Sequence, residues 1–288
     1  MKTKTKLLVF DIDDTLVKSE EIHQSAFVSA LNEEGVLTVN TDWSSYEYIT
    51  DSYIAGVNYK NQFGKAMSSF DLIMIEAAMI EYLSTYKKAA EVPGAAAMIS
   101  KLWKKSEYAI AFATGSLKEP ALLKLEEANI RCEENLLVAS NEYEERETIV
   151  TKAIAAAQDH YSVDKFEEII AFGDGTWDYE VAKKLGLKFI AVGAKNKAWF
   201  IEQGVSLCIE NYEDVAGYSK SATLDDIKAN DFVLTPGRYV GAAEIEDDGI
   251  PFEVKMKELS QNLYSQMEQA EELDKAIRQN LEVLGYGE

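Results

Sequence analysis

Phe10-Asp11-Ile12-Asp13-Asp14-Thr15-Leu16 decides the reading of this chain. It closes a short apolar run, Lys6-Leu7-Leu8-Val9-Phe10, whose length and residue types suit a buried β-strand. Side chains alternate along an extended strand end, so Asp11 and Asp13, two apart, project the same way. Two like charges held side by side repel, a cost that a bound cation or a substrate relieves. A site with oxygen donors only favours Mg2+ over softer metals. The plainer reading is a capped strand-to-helix turn, because Asp and Thr are good N-cap residues.

A second acidic segment repeats the pattern. Glu168-Ile169-Ile170-Ala171-Phe172 reads as another buried strand and ends in the polar turn Gly173-Asp174-Gly175-Thr176-Trp177-Asp178. In an open parallel sheet the strand C-termini share one edge, where ligands bind, so Asp174 can meet Asp11 and Asp13. Gly173 and Gly175 permit a tight turn and close backbone approach. Asp178 lies four residues past Asp174, one turn into the next helix, and can lean back on the same place. Between these segments a third strand-like run, Tyr108-Ala109-Ile110-Ala111-Phe112-Ala113, ends in Thr114-Gly115-Ser116. A hydroxyl and free amides at a helix start form a phosphate cradle.

These three strand ends resemble the motifs of the haloacid dehalogenase-like superfamily, whose members are mostly Mg2+-dependent phosphatases. Asp11 and Asp13 match its first motif, D-x-D-x-T, Thr114 matches its second, and Asp174 and Asp178 match its fourth, G-D-x-x-x-D. The resemblance covers residues 1 to about 217. Asp14 stands where many relatives carry Gly and others Asp. The third motif, a Lys or Arg near the start of the preceding helix, falls within residues 144–154. Arg146 at the helix start is the favoured residue, while Lys152, more than a turn later, reads equally as a solvated cation. Lys118, just after the second motif, reads as a further phosphate-reaching cation or, at least equally, as a structural residue.

The resemblance implies an Mg2+ held by the Asp11 carboxylate, the Asp13 backbone carbonyl and Asp174, with Asp178 orienting the metal shell. It implies Asp11 as nucleophile, forming an aspartyl-phosphate, and Asp13 as general acid and base. Thr114, the Gly115 amide and Arg146 would hold the transferring group of a small phosphorylated substrate. A dehalogenase is disfavoured, because Asp13 and the metal carboxylates have no task there. A phosphomutase of the β-phosphoglucomutase kind would use the same residues, and an assembly protein with an idle core is a third reading.

Composition points to a cytoplasmic enzyme. The 288 residues, 47% of them apolar, suffice for one large α/β domain with additions. The two cysteines, Cys132 and Cys208, argue against a disulfide scaffold and for a reducing compartment. The N-terminal apolar run is too short for a signal peptide, and no segment approaches the roughly 20 apolar residues of a membrane helix. A net charge of −21 opposes general affinity for nucleic acid or anionic membranes.

Alternating strand-like and helical runs predict a doubly wound parallel sheet in a Rossmann-like catalytic core, built from residues 1–17 and 90–217. Residues 18–89 carry helical periodicity and little strand signal, with Ile22, Phe27, Leu31, Phe70, Ile73, Met74, Ala77, Ile80 and Leu83 recurring at helical intervals. An insertion there resembles the all-helical cap of the phosphoglycolate phosphatase and β-phosphoglucomutase branch, where substrate choice resides. His23, one of two histidines, reads as a packed or solvated residue or as a catalytic helper. Residues 56–60 read as a turn that could present Tyr59 or Lys60 to the site, and as a surface loop otherwise. Trp43, Tyr46, Tyr48 and Tyr53 read as cap core or as a stacking surface.

Beyond about residue 222 the alternation stops, and residues 222–288 predict a helical extension. Met256, Leu259, Leu263, Met267, Ala270, Leu273, Ile277, Leu281 and Leu284 recur every three or four residues, a seam suited to a partner helix. With Leu234-Thr235-Pro236-Gly237-Arg238-Tyr239-Val240-Gly241, the acidic run at 244–248 and the terminal Asn280-Leu281…Leu284-Gly285-Tyr286-Gly287, this segment resembles the C-terminal tail of type I restriction N6-adenine methyltransferase subunits. The chain has no N-P-P-[YF] segment to hold a flipped adenine, so methyl transfer is not expected. The resemblance implies a docking role for the helix over 253–284, toward a specificity-type subunit or a second copy, while the plainer reading is that it packs on its own core.

Overall fold

A computed structural model describes residues 4–85, 88–105 and 107–213, together with 227–228 and several helical positions between 256 and 267. The chain divides into two compact units, residues 1–241 and 242–288. In chain order the first unit contains β1 (Lys6–Phe10), β2 (Val17–Lys18), α1 (Glu20–Glu33), α2 (Asp51–Phe63), α3 (Ser69–Thr85), β3 (Ala90–Glu91) and α4 (Ala95–Lys105). It continues through β4 (Tyr108–Ala113), α5 (Lys118–Glu127), β5 (Leu137–Val138), α6 (Arg146–Tyr161), β6 (Glu168–Gly173), α7 (Thr176–Lys184), β7 (Lys188–Val192), α8 (Lys197–Glu202) and β8 (Cys208–Ile209).

Six strands form one parallel sheet in the order β5-β4-β1-β6-β7-β8. The chain runs outward from β1 to β4 and β5, then crosses to β6 and continues the other way. That reversal puts the C-terminal ends of β4, β1 and β6 side by side, the crevice where doubly wound sheets bind ligands. The two-residue period of β1 feeds both faces. Leu8 and Phe10 pack with Phe112, Phe172 and helices α4 and α5 through Ile99, Ala121 and Leu125. Leu7 and Val9 face the other way, with Ala109, Ala111 and Ala113, against Ile149, Ala153 and Ala157 of α6. Small residues on both surfaces let α6 lie close to the sheet and bring its N-terminus to the ligand edge.

Helices α1 to α3 lie between β2 and β3, whose antiparallel pairing, Val17 with Glu91 and Lys18 with Ala90, closes the insertion at its base. Their own core holds Phe27, Leu31, Ile54, Tyr59, Ile75 and Met79, with Leu117 entering from the sheet side. The expected apolar face of α3 needs correction. Ile75, Met79 and Leu83 are buried, whereas Phe70 and Ile73 are 67% and 58% exposed. In a helix apolar on nearly every side, periodicity cannot choose the buried stripe. Residues 56–60 also differ from the expected turn: they lie inside α2, with Asn58 and Tyr59 buried and Lys60 exposed. One Gly in a helical stretch lowers propensity without ending it.

Among the described residues no helix is long and apolar enough to cross a membrane. Cys132 and Cys208 are free thiols. The boundary near 222, the 231–248 segment and most of the expected seam lie outside the described residues. Met256 and Met267, the two seam positions described, are helical and exposed.

Candidate active site

Asp11 follows β1, and its N–H donates to the Phe172 carbonyl at the end of β6, 3.0 Å away. This bond extends the ladder one residue past β1 and fixes the carboxylate beside the β6 turn. Asp14 turns the chain with φ of +52°, a left-handed conformation that Gly and Asp tolerate better than most residues. Its Oδ1 accepts from the Ser19 and Glu20 amides at 3.0 and 3.1 Å, capping α1. Both jobs suit Asp at this position.

Carboxylate oxygens of Asp11, Asp174 and Asp178 all lie within 4.8 Å of one another. Thr15, fully buried, places Oγ1 3.4 Å from Asp11 and 3.5 Å from Asp174. Arg146, the first residue of α6, reaches across them: Nη1 is 2.9 Å from Asp178 Oδ1 and 3.5 Å from Asp11 Oδ1. Its Nε donates to the Ile49 carbonyl at 2.9 Å. Glycine is needed at three places in the site. A Cβ on Gly173 would sit 2.4 Å from Asp178 Cβ, one on Gly115 2.6 Å from Arg146 Nη2, and one on Gly175 2.1 Å from the Trp177 ring.

The electrostatics are those of an acidic pocket short of cations. Burial pushes the Asp174 carboxyl up to about 8, helped by repulsion from Asp178 and opposed by Arg146. Burial and the neighbouring carboxylates push Asp11 well above the usual carboxylate range. Asp178 is raised by burial and drawn back by Arg146. A hard divalent cation fits this set, because it brings compensating charge to oxygen-only donors that one guanidinium leaves undercompensated. Asp11, Asp174 and Asp178 would hold it. The Asp13 side chain points elsewhere, so only its backbone carbonyl remains to contribute.

Asp13 is clasped by Lys124 of α5, whose Nζ lies 2.5 and 2.7 Å from its two oxygens. Lys124 is fully buried. It also lies 3.1 Å from His23 Nδ1 and 3.4 Å from Ser116 Oγ. The His23 Nε2 is 3.0 Å from Asp51 Oδ1, and Asp51 Oδ2 accepts from the Leu117 amide at 2.9 Å. Burial alone would raise Asp13, but the Lys124 ammonium, the His23 ring and the Ser19 hydroxyl, 2.6 Å away, hold it well below the usual range. Sequence reasoning missed Lys124. The available signal was its place on the apolar stripe of α5, among the buried Leu117, Ala121, Leu125 and Ala128.

The remaining residues divide plainly. Thr114 is buried at the end of β4, where its Oγ1 accepts from the Ser116 amide at 3.1 Å. The Gly115 carbonyl accepts from the Asp51 amide of the cap at 2.8 Å. Lys152 lies exposed over the Tyr143 ring, and Lys118 reaches Glu134 at the surface. The structure brings neither to the acidic cluster. A cavity of about 100 Å³ under the cap is lined by Asp13, His23, Trp43, Gly115, Arg146 and Trp177 among others.

The chain belongs to the haloacid dehalogenase-like hydrolases, a family that matches residues 8–192 and so spans all these strand ends. A second family, N-6 DNA methylase, matches residues 189–248. The methylase subunit of the type I restriction enzyme HindI from Haemophilus influenzae is 57% identical over 77 residues, 27% of this chain and 17% of that protein. The MjaIX methylase subunit of Methanocaldococcus jannaschii is 53% identical over 70 residues, 24% of this chain and 12% of that protein. Each match thus spans less than a fifth of the curated relative. Among solved structures, a haloacid dehalogenase-type hydrolase from Entamoeba histolytica superposes with a TM-score of 0.54 at 14% identity, covering 77% of this chain and 97% of that one. A hydrolase from Pseudomonas syringae gives 0.51 at 16% identity, covering 71% and 92%. These two share the fold.

The raised Asp174 carboxyl has a sign that can be tested. A carboxyl lifted in the fold stabilises fully below its ordinary range near 4, and that contribution is lost as pH rises toward 8. Without divalent cation, Asp174→Asn should therefore melt higher than the parent at pH 8, by about 2–4 °C per kcal/mol relieved. Mg2+ should raise the parent's Tm more at pH 8 than at pH 5, and raise that of Asp174→Asn much less. A parent Tm insensitive to Mg2+ at pH 8 would contradict the metal assignment.

Proposed function

We propose that the protein is an Mg2+-dependent phosphatase acting on a small phosphorylated metabolite through an aspartyl-phosphate on Asp11. The observation that carries this reading is the convergence of Asp11, Asp174, Asp178 and Arg146 at one sheet edge, beneath a cap. Mg2+, when bound, supplies the charge neutralisation that lets an anionic phosphoryl group approach a carboxylate. Thr114, the Gly115 amide and Arg146 Nη2 orient that group, and Asp11 attacks phosphorus in line. As the P–O bond to the leaving group breaks, Asp13 donates its proton to the departing oxygen. A water, deprotonated by Asp13, then attacks the acyl-phosphate and releases inorganic phosphate with Asp11 restored.

Two features bear on the acid–base role and its control. Lys124 holds Asp13 ionised in the closed pair, so the acid step requires Asp13 to take up a proton as substrate enters, the proton that it later regains from the hydrolytic water. Hydrogen bonds tie the cap to the core beside the site. The Asp51 amide bonds Gly115, and the Thr50 hydroxyl donates to the Glu144 carbonyl at 2.7 Å.

A second reading adds to the first and rests on the methylase similarity. We infer that the segment from about 225 to 288 is a docking module, for a specificity-type subunit or a second copy, and takes no part in chemistry. A chain ending at Gly217 should keep its turnover and change its association state in sedimentation. Loss of turnover in a folded truncated chain would make the segment part of the active-site enclosure instead.

The catalytic assignment itself has a direct check. Asp11→Asn should lower Mg2+-dependent hydrolysis of an aryl phosphate by more than about 10⁴-fold, as removal of a covalent nucleophile does, with an unchanged circular-dichroism spectrum. Hydrolysis retained in that variant at matched purity would remove Asp11 from the nucleophile role.

A further inference from the structure

Positive charge is scarce beneath the cap. Among the described residues lining the cavity, Arg146 is the one lysine or arginine. Its Nη1 and Nε are held by Asp178, Asp11 and the Ile49 carbonyl, and its Nη2 lies against Gly115, where the transferring phosphoryl group would sit. The His23 ring is spent between Asp51 and Lys124. Lys195, outside the cavity, is engaged by Glu20 at 2.5 Å. Against this stand three carboxylates on the wall, Asp13, Glu20 and Asp51, and the buried Lys124 ammonium behind them is engaged by Asp13 and His23.

The rest of the wall is apolar and aromatic. Phe27, Trp43, Ile54 and Trp177 line it, and the rings of Phe27 and Trp43 meet edge to face at 6.3 Å. The Trp177 ring packs against Gly175, and its Nε1–H is buried without a hydrogen-bond partner. A second phosphate or a carboxylate on the substrate would be desolvated beside carboxylates with no free cation to meet it.

We propose that this enclosure selects phosphate monoesters whose leaving group is uncharged and carries an apolar face, and rejects substrates with a second anionic group. The proposal deepens the phosphatase reading and rests on it. It also sets this chain apart from sugar-phosphate mutation through a bisphosphate, which must seat two phosphates at once.

Phenyl phosphate and 4-carboxyphenyl phosphate, which share the scissile bond and differ by one remote carboxylate, test it on the full chain with Mg2+. The uncharged ester should have a kcat/KM at least about tenfold higher, with the difference carried mainly by KM, as expected for a desolvated unpaired charge. Gln24→Lys, which puts a cation on the same wall, should narrow that gap at least about threefold. Equal kcat/KM for the two esters, or turnover of glucose 1,6-bisphosphate at or above that of glucose 6-phosphate, would overturn the proposal. If those activities disappear in Asp11→Asn, the phosphatase reading survives the overturned proposal. If the parent protein hydrolyses neither aryl ester, the phosphatase reading fails and the selectivity proposal falls with it.

Discussion

Three carboxylates held within 4.8 Å at the edge of a sheet repel one another, and much of the surrounding structure answers that repulsion. Arg146 is placed across them by the N-terminus of α6, which reaches the sheet edge because Ala109, Ala111 and Ala113 leave room for that helix. Gly173 gives up a side chain so that Asp178 can close on the same point. The remaining deficit of positive charge is visible in Asp174, pushed up to about 8. A cluster of this kind is unfavourable in a protein with nothing to bind there. On the proposed function, a hard cation and a phosphoryl group would make it favourable.

The second constraint is the fully buried Lys124. A lone ammonium in that position would be strongly unfavourable, and Asp13 is the partner that makes it tolerable. Through His23 and Asp51 the pair touches α1 and α2 of the cap, and through Ser116 it touches the β4 turn. The Asp13 carboxylate is therefore linked to the position of the cap by three polar contacts in series. On the proposed mechanism, substrate entry and the readiness of Asp13 would be one event.

Much of this was legible in the sequence. Each strand-end carboxylate follows a run of buried apolar residues, so Asp11 and Asp174 announce themselves by a break in hydrophobicity, and the parallel order brings them together. The start of α6 likewise singled out Arg146 over Lys152. Lys124 escaped because a lysine between leucines in an amphipathic helix reads as a solvated neighbour of the stripe. Its real place depends on Asp13, more than 100 residues away, and no local pattern encodes such a pairing. The buried face of α3 escaped for the opposite reason. Phe70, Ile73, Ile75 and Met79 offer apolar residues on several sides, and only packing, chiefly against α1 and α5, chooses among them.

The central claim is that phosphoryl transfer passes through the carboxylate of Asp11. Borohydride reduction after rapid acid quench of the enzyme with Mg2+ and an aryl phosphate converts an acyl-phosphate to an alcohol, and peptide mass spectrometry then locates it. The account predicts homoserine at position 11 and unmodified aspartate at 13, 174 and 178. Unmodified aspartate at position 11 in samples quenched during active turnover, or the reduced residue at any other position, would contradict it.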